Sequence, residues 1–331
     1  MPIEGVLNIN KPAGWTSHDV VARVRKLLKT KKAGHTGTLD PQATGVLPVC
    51  LGKGTKIIEF LVDSDKEYDA VLRLGQETDT QDATGKALRS IPVQYFDADT
   101  VIFEGKSRSI PEAFRSFIGP YRQMPPMYSA VKVNGEPLYK AARAGKTIER
   151  SAREVSILGL QIHNRQGDDI SFSVRCSKGT YIRTLCADIG ENLGVGGHLV
   201  SLRRTRSGNF QLGDSIEMDQ LCELVLKGTL DTILYPLNEV LKDLPALCVK
   251  ESHLDRLKHG VQIGPEGISD YDPFKSGDAL RFLDHQGKLL ALGFALQDSD
   301  IFESPEGNLT SLFKIRKVLS DLEAQLGSRL H

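Results

Sequence analysis

Apolar residues near the start of the chain recur at helical spacing. They follow the hydroxyl pair Thr16-Ser17, and they are Val20, Val21, Val24, Leu27 and Leu28. This spacing places them on one face of a helix, and Ser and Thr are preferred N-cap residues. The sequence therefore predicts a helix of about ten residues that begins near His18.

Two segments alternate apolar and polar residues with the period of a half-buried strand. In Lys66–Leu74 the apolar positions are Tyr68, Ala70, Leu72 and Leu74. In 170–176 they are Ile170, Phe172, Val174 and Cys176. The pattern predicts two strands, each with one face in the core.

The period changes to that of a helix after Lys178-Gly179. The apolar positions become Ile182, Leu185, Cys186, Ile189 and Leu193, and Gly194 follows as a suitable C-terminal residue. We therefore predict strand, tight turn and helix over 170–194, with the helix over 180–193. Possible capping boxes at Ser109-x-x-Glu112 and Asp214-x-x-Glu217 predict the starts of two further helices.

Strands that have one polar face, mixed with helices along the chain, predict an α+β fold with a mixed, largely antiparallel sheet flanked by helices. A chain of 331 residues also exceeds what one core usually supports. We place a boundary near Asp243-Leu244-Pro245, which gives domains 1–245 and 246–331. Strands predicted at 279–284 and 289–296, around Gly287-Lys288, make the second domain small and β-rich.

Composition limits the class of protein. Hydrophobic residues make up 40% and charged residues 25%, which is typical of a globular protein, and no apolar run is long enough to span a membrane. The N-terminus does not resemble a signal peptide. The five cysteines are scattered, without a C-x-x-C pair. We expect a cytoplasmic protein with reduced cysteines and no membrane association.

Charge is balanced overall but not locally. Lys plus Arg and Asp plus Glu number 42 each, while residues 246–331 hold ten basic and thirteen acidic residues. Basic clusters lie upstream, at 23–32, 140–153 and 203–206. Each cluster can be a solvated surface or a local site for a polyanion.

Cofactor motifs are absent from the sequence. The glycines of 45–55 and of 194–197 do not have the spacing of a phosphate loop or a dinucleotide fingerprint, and no metal-binding motif is present. We therefore expect neither a cofactor nor a metal.

The segment 34–45 has an unusual composition. Three glycines, three threonines and a proline surround one carboxylate, Asp40. Such residues predict a tightly turned loop that presents the carboxylate. Alternatively, Asp40 caps a turn through its side chain.

Five short blocks then occur in a specific order. They are K-P-A-G-W-T-S at 11–17, G-H-T-G-T-L-D-P at 34–41, K-E-Y at 66–68, C-S-K-G-T-Y-I-R at 176–183 and L-R-R-T at 202–205. Together with 78–82 and 125–132, they resemble the motif set of the TruB family of tRNA pseudouridine synthases. The resemblance extends from residue 5 to about residue 210.

This resemblance implies a fold and an activity. The fold is the pseudouridine synthase fold with a small PUA-like C-terminal domain, and the activity is isomerisation of uridine 55 in the T-loop of tRNA to pseudouridine. The glycosidic bond is cut, the base turns, and C5 is joined to the ribose. The implied partner is the T-arm stem-loop of tRNA, with no cofactor and no obligate protein partner, and a tRNA-folding role can accompany catalysis.

The resemblance also implies catalytic residues. Asp40 is the nucleophile, Arg183 keeps it charged and aimed, and Tyr68 stacks on the extruded base or passes a proton. Without this resemblance, the sequence is equally consistent with Tyr68 as an ordinary core tyrosine.

Further residues are implied to contact the substrate. His35 fills the gap left by the flipped base, although a lone histidine is more often an ordinary loop residue. Leu202 forms an apolar floor or simply packs in the core. The other contacts are Lys11, Pro12 and Tyr181, and an RNA-clamping insertion at 121–152 that carries Lys132, Lys140, Arg143 and Lys146.

Two other functions stay open. One is a non-catalytic RNA-binding protein on this scaffold, which would not need Asp40. The other is a synthase for ribosomal or guide-directed RNA, although the chain lacks a long basic tail. Because 246–331 is acidic, we expect RNA affinity to come from the upstream domain.

Overall fold

The computed structural model describes residues 3–129, 131–133, 135–143, 145, 148–303 and 312–319. The α-helices are α1 (Ser17–Leu28), α2 (Ile58–Leu61), α3 (Ile110–Arg115), α4 (Leu138–Arg143), α5 (Ile182–Asn192), α6 (Met218–Lys227), α7 (Leu237–Val240) and α8 (Glu251–Lys258). The strands are β1 (Gly5–Lys11), β2 (Ala33–His35), β3 (Thr44–Leu51), β4 (Lys66–Leu74), β5 (Gln76–Thr78), β6 (Ala87–Ser90), β7 (Gln94–Tyr95), β8 (Thr100–Phe103), β9 (Lys106–Ser109), β10 (Gly119–Gln123), β11 (Lys132–Val133), β12 (Glu136–Pro137), β13 (Arg153–Gln166), β14 (Asp169–Cys176), β15 (Gly197–Ser207), β16 (Phe210–Gln211), β17 (Leu234–Tyr235), β18 (Ala246–Val249), β19 (Ile268–Tyr271), β20 (Ala279–Leu283), β21 (Leu289–Ala295) and β22 (Phe313–Val318).

A large twisted sheet forms the first part of the molecule. Its order is β10-β13-β14-β4-β15-β3-β1-β17, with β16 added to β15 and β2 added to β3. The pairing is antiparallel except between β3 and β15. This confirms the predicted α+β architecture with a mixed, largely antiparallel sheet.

The predicted strand at Lys66–Leu74 is confirmed with the same bounds, and its alternate side chains are buried. These side chains pack with α3 and α5 in one core. A second core joins α1 and α6 to β1 and β3. Helices therefore pack on the sheet on both sides of β15.

Helix α1 begins one residue earlier than predicted, behind a capping box of Thr16 and Asp19. Helix α5 begins two residues later than predicted, at Ile182. The reason is Gln123, whose side-chain amide bonds both the N–H and the C=O of Tyr181 at 2.7 and 2.9 Å. Tyr181 is thereby held in an extended conformation as the N-cap.

One predicted helix start is confirmed and the other is wrong. Ser109 caps α3 by accepting a hydrogen bond from the Glu112 N–H. In contrast, Asp214 lies in a 3-10 turn, and α6 starts at Met218 behind a capping box of Glu217 and Gln220. Backbone hydrogen bonds of Ile216 with β1 hold 215–217 extended, so tertiary pairing overrides the local motif.

The C-terminal part forms a separate sheet in the order β19-β18-β20-β21-β22, beginning at Ala246. The hairpin of β20 and β21 confirms the two predicted strands around Gly287-Lys288. This sheet has its own apolar core, as predicted for a small β-rich region. Whether it is PUA-like and where the domains divide stay predictions.

The two sheets are joined by specific contacts. Phe60 stacks on Phe294 with ring centroids 5.3 Å apart. Arg281, which is nearly buried, donates hydrogen bonds to the carbonyl oxygens of Lys242 and Leu244 and to the Asn238 side chain. Across the described residues, no helix is long and apolar enough to cross a membrane.

Candidate active site

The loop that carries Asp40 is fixed on both sides. The Ser17 hydroxyl accepts a hydrogen bond from the Leu39 N–H at 2.9 Å and donates one to the Leu39 carbonyl at 3.2 Å. On the other side, the Pro41 carbonyl accepts from the Lys11 ammonium at 3.0 Å and from the Gly14 N–H at 2.9 Å. The first turn of α1 and the end of β1 therefore position Asp40.

The Asp40 carboxylate faces Arg183. The Arg183 Nη2 donates to Oδ1 of Asp40 at 3.2 Å, and Nε lies 2.9 Å from Oδ2. The Asp40 side chain is 41% exposed, whereas that of Arg183 is 4% exposed. A buried guanidinium thus holds an accessible carboxylate.

Arg183 is held by three further groups. Its Nη atoms donate to the carbonyl oxygens of Tyr128 at 2.8 Å and Thr80 at 3.2 Å, and a carboxylate oxygen of Asp82 lies 3.9 Å from Nε. The Nε–H itself points at no acceptor in the described part of the chain, so its contact with Asp40 is an ion pair rather than a hydrogen bond.

The segment that supports Arg183 contains a strained residue. Gln81 has φ +62°, a left-handed conformation that non-glycine residues rarely adopt. Its side-chain oxygen accepts a hydrogen bond from the buried hydroxyl of Thr184 at 2.8 Å. This contact ties the segment around Thr80 to α5, next to Arg183.

Tyr68 lies on β4 beside the loop, 9% exposed, and shares the core that contains α5. Burial raises the pKa of its phenol, while Arg204 opposes that shift. Arg204 is the cross-strand neighbour of Tyr68 and is 1% exposed. It donates hydrogen bonds to the carbonyl oxygens of Val46 at 2.7 Å and Gly37 at 3.1 Å, which joins the loop to β3.

Close backbone packing explains why residue 45, which lies beside Arg204, is a glycine. Gly45 has φ +101°, and a Cβ there would overlap the carbonyl oxygen of Arg204. Only glycine permits both the conformation and the approach of β15 to β3.

Two lysines in this region are buried, and Lys11 is the one that contacts the loop. Lys11 is fully buried and donates to the carbonyl oxygens of Pro12, Trp15 and Pro41. Burial lowers its pKa to about 8, although Asp40 acts in the opposite direction. Burial also lowers the pKa of Lys66 to about 8, with Arg204 adding to the effect.

His35 ends β2 and lies partly buried before the Asp40 loop. Its Nδ1 accepts a hydrogen bond from the Gly37 N–H at 3.3 Å, and its ring meets that of His18 edge-on at 5.4 Å. Burial, His18 and Arg204 together lower its pKa to about 4. His35 is therefore neutral at pH 7.

The other residues predicted to contact the substrate differ in their burial and in how much of them the structure describes. Leu202 is partly buried against the core that contains Tyr68, Pro12 is partly buried, and Tyr181 adjoins Arg183. Lys140 is exposed on α4. Lys132 and Arg143 have a described backbone only, in β11 and α4, and Lys146 lies outside the described residues.

Four residues of this centre have no role in the sequence-based prediction. They are Ser17, Lys66, Asp82 and Arg204. All lie in or next to the segments that carry the resemblance, so the sequence contained the signal. Ser17, Asp82 and Arg204 make contacts with segments that are distant in sequence, which the sequence pattern does not reveal.

The geometry permits one kind of chemistry best. An accessible carboxylate, supported by a buried guanidinium and next to a buried phenol, can act as a nucleophile on an organic substrate. The buried cations also favour a polyanionic substrate. Within the described residues, no group of three or more His, Cys, Asp or Glu is placed to hold a metal. The expectation that no cofactor is needed stays a prediction.

Comparison with known families gives two matches. Residues 25–182 match the TruB family pseudouridylate synthase N-terminal domain. Residues 183–242 match the tRNA pseudouridylate synthase B C-terminal domain. Both matches lie within the first predicted domain, 1–245, and the second match ends close to the predicted boundary.

Curated relatives agree with these matches. The chain is 40% identical over 297 residues to the tRNA pseudouridine synthase B of Bacillus subtilis (strain 168), which covers 88% of this chain and 93% of that protein. It is 46% identical over 265 residues to the tRNA pseudouridine synthase B of Geobacillus thermodenitrificans (strain NG80-2), covering 78% of this chain and 85% of that protein.

Solved structures show the same fold. A chain from a Cbf5-Nop10-Gar1 complex is similar with a TM-score of 0.73 and 31% identity, covering 96% of this chain and 85% of that one. A chain from an H/ACA RNP bound to a substrate RNA containing 2′-deoxyuridine is similar with a TM-score of 0.72 and 28% identity, covering 96% and 86%. On this evidence, the chain belongs to the TruB family of pseudouridylate synthases, which are isomerases.

Proposed function

We propose that this enzyme converts one uridine in the T-loop of tRNA, uridine 55, to pseudouridine, with Asp40 as the nucleophile. The observation that carries the proposal is the pairing of the accessible Asp40 carboxylate with the buried Arg183 guanidinium. Relatives at 40 and 46% identity named tRNA pseudouridine synthase B support tRNA as the substrate.

The reaction needs a nucleophile and a confined base. The bond between N1 and C1′ breaks, a bond between C5 and C1′ forms, C5 loses a proton and N1 gains one, so atoms and charge balance without a co-reactant. Asp40 stabilises the separated state by attacking either the ribose or the base ring. Arg183 keeps the carboxylate ionised once the substrate excludes water, because an unpaired buried carboxylate takes up a proton.

Neighbouring groups complete the proposed site. In this proposal the Tyr68 ring contacts the base, its phenol passes the C5 proton, and Leu202 supplies apolar surface. His35, neutral at pH 7, can occupy the gap that the extruded uridine leaves.

The surrounding charge fits an RNA substrate. Lys11, Arg183 and Arg204 place three buried cations against the loop that carries Asp40. We assign the segment 121–152, with Lys140 exposed on α4, to clamping the T-arm. Protein partners are not required by this mechanism. A cytoplasmic location follows from the proposed substrate.

The test is incubation of the protein with an unmodified tRNA transcript, followed by mapping of pseudouridine at single-nucleotide resolution. We expect one modified position, in the T-loop. Asp40→Asn keeps the shape and most hydrogen bonds of the side chain, so it should bind tRNA and form no pseudouridine. Retention of a tenth of the wild-type single-turnover rate, only about 1.4 kcal/mol of barrier, would refute the role of Asp40.

A matched control and a second readout sharpen this test. Asp69→Asn removes an exposed carboxylate from strand β4 and should leave the rate unchanged. If Asp40→Asn still promotes refolding of misfolded tRNA, the protein also acts on tRNA structure. Modification of ribosomal RNA but not tRNA would instead favour the alternative substrate.

A further inference from the structure

Helix α1 carries a dense group of exposed cations at its C-terminal end. Six of the ten residues at 23–32 are basic, and all six are exposed. We call this group the α1 basic surface; it consists of Arg23, Arg25, Lys26, Lys29, Lys31 and Lys32.

Carboxylates are scarce in the segment that carries this surface. Between residues 17 and 35 the sequence contains one carboxylate, Asp19, which is engaged by Thr16 at the opposite end of the helix. Within the described residues, Lys26, Lys31 and Lys32 form no ion pair. The whole chain has a formal net charge of zero, so this surface is a local excess.

Helix capping accounts for only part of the surface. Basic residues in the last turn offset the helix dipole, and that explains Arg25 and Lys26. Arg25 also donates to the Ala33 carbonyl at 3.0 Å. Lys31 and Lys32 lie beyond the helix, where the dipole gives no such benefit. Their clustering costs electrostatic repulsion that a polyanion would relieve.

The surface is connected to the active site by short, ordered segments. Strand β2 leads from Lys32 to His35 in three residues, about 10 Å at 3.3 Å per residue. Helix α1 leads from Lys29 back to His18, roughly 17 Å at 1.5 Å per residue. Its first two residues contact Leu39 and His35. The surface therefore lies within the length of these two segments from His18 and His35, which border the loop that carries Asp40.

We propose that the α1 basic surface binds phosphate groups of the same tRNA, outside the nucleotides that enter the catalytic centre. This inference rests on the proposed function and adds a second contact region to it. Its contribution is electrostatic, so it strengthens binding without reading sequence. It acts on affinity and not on the chemical step.

The test uses Lys26→Gln/Lys31→Gln/Lys32→Gln, which leaves Lys29 at its left-handed C-cap. The control is Lys86→Gln/Lys106→Gln/Lys288→Gln, which changes net charge equally at exposed, scattered positions. The dissociation constant for full-length tRNA is measured between 50 and 300 mM salt, roughly the range in which phosphate contacts dominate. Circular dichroism confirms that both variants fold.

We expect the test variant to lower the slope of log affinity against log salt by about 2, since each phosphate contact contributes roughly 0.7 to 0.9. Affinity at low salt should fall about tenfold or more, and the single-turnover rate at saturating enzyme should stay within about twofold. A slope and affinity equal to those of the control variant would overturn the proposal. If the wild type makes no pseudouridine, the proposed function fails independently of this slope.

Discussion

The hydroxyl of Ser17 bonds both the N–H and the carbonyl of Leu39, the residue immediately before Asp40. Ser17 is 1% exposed, so neither bond exchanges easily with water. The first residue of α1 therefore sets the backbone from which the proposed nucleophile projects. A helix that otherwise serves the core thus acts as a support for the catalytic loop.

Ser17→Ala should reduce catalysis more than binding. The change leaves the buried Leu39 N–H without a partner, which costs roughly 1–3 kcal/mol of unfolding free energy. Asp40 then loses its fixed direction, so the single-turnover rate should fall while the tRNA dissociation constant stays close to that of the wild type. Ser201→Ala, at an exposed position on β15, is the control. A wild-type rate for Ser17→Ala would show that Lys11 and Gly14 hold the loop alone.

Arg183→Lys should behave as a severe change. The planar guanidinium of Arg183 contacts Asp40 and the carbonyl oxygens of Thr80 and Tyr128 at the same time. The compact ammonium of a lysine cannot reproduce this geometry. We expect the single-turnover rate to fall at least about 100-fold, roughly 2.7 kcal/mol of barrier, with little change in affinity.

A matched pair controls for that substitution. Arg73 donates two hydrogen bonds to Asp169 on the protein surface, at 2.6 and 2.7 Å. Arg73→Lys should therefore leave the rate unchanged. Equal losses of rate and affinity in Arg183→Lys would mean that Arg183 contacts a phosphate.

Tyr68→Phe separates the phenol from the ring. If Tyr68 passes a proton, this variant should keep tRNA affinity and lose turnover, because the ring still contacts the base. Tyr68→Leu should lose both. Single-turnover rates and dissociation constants of the two variants measure the difference. Full activity of Tyr68→Phe, with an inactive Tyr68→Leu, would assign the role to the ring alone.

His35 should make stability depend on pH. Its pKa is lowered to about 4 in the folded protein, below the usual value of about 6.5. The unfolded chain therefore binds the extra proton first, and the contribution of His35 to stability is lost as pH falls from 6.5 toward 4. In urea unfolding, the stability of the wild type relative to His35→Gln should fall by about 1–2 kcal/mol between pH 7 and pH 5. Parallel curves for the two proteins would contradict this.

The periodicity of apolar residues predicted the strands and helices that keep one face buried along their whole length. Lys66–Leu74 alternates because β4 is buried on one face along its whole length. The capping-box motif failed at Asp214, because hydrogen bonds between Ile216 and β1 decide the conformation there. A local motif cannot report such a distant competitor.

The candidate site shows the same limit. Asp40 is marked by its loop composition, but the role of Arg204 depends on Gly37, 167 residues away. One local signal was available for Arg183. A cation in the first turn of a helix opposes the helix dipole, and residues that break a local rule often mark functional sites.

The separation between Asp40 and Arg183 has a consequence for biosynthesis. The two residues are 143 positions apart, so a ribosome adding 5–20 residues per second makes the arginine roughly 7 to 29 s after the aspartate. The growing chain therefore carries the loop for that interval without its counter-ion. Because α1 and β1 precede the loop, Ser17 and Lys11 are already available to shape it. The nascent protein can build the support for its nucleophile early, but it remains catalytically incomplete until α5 has been translated.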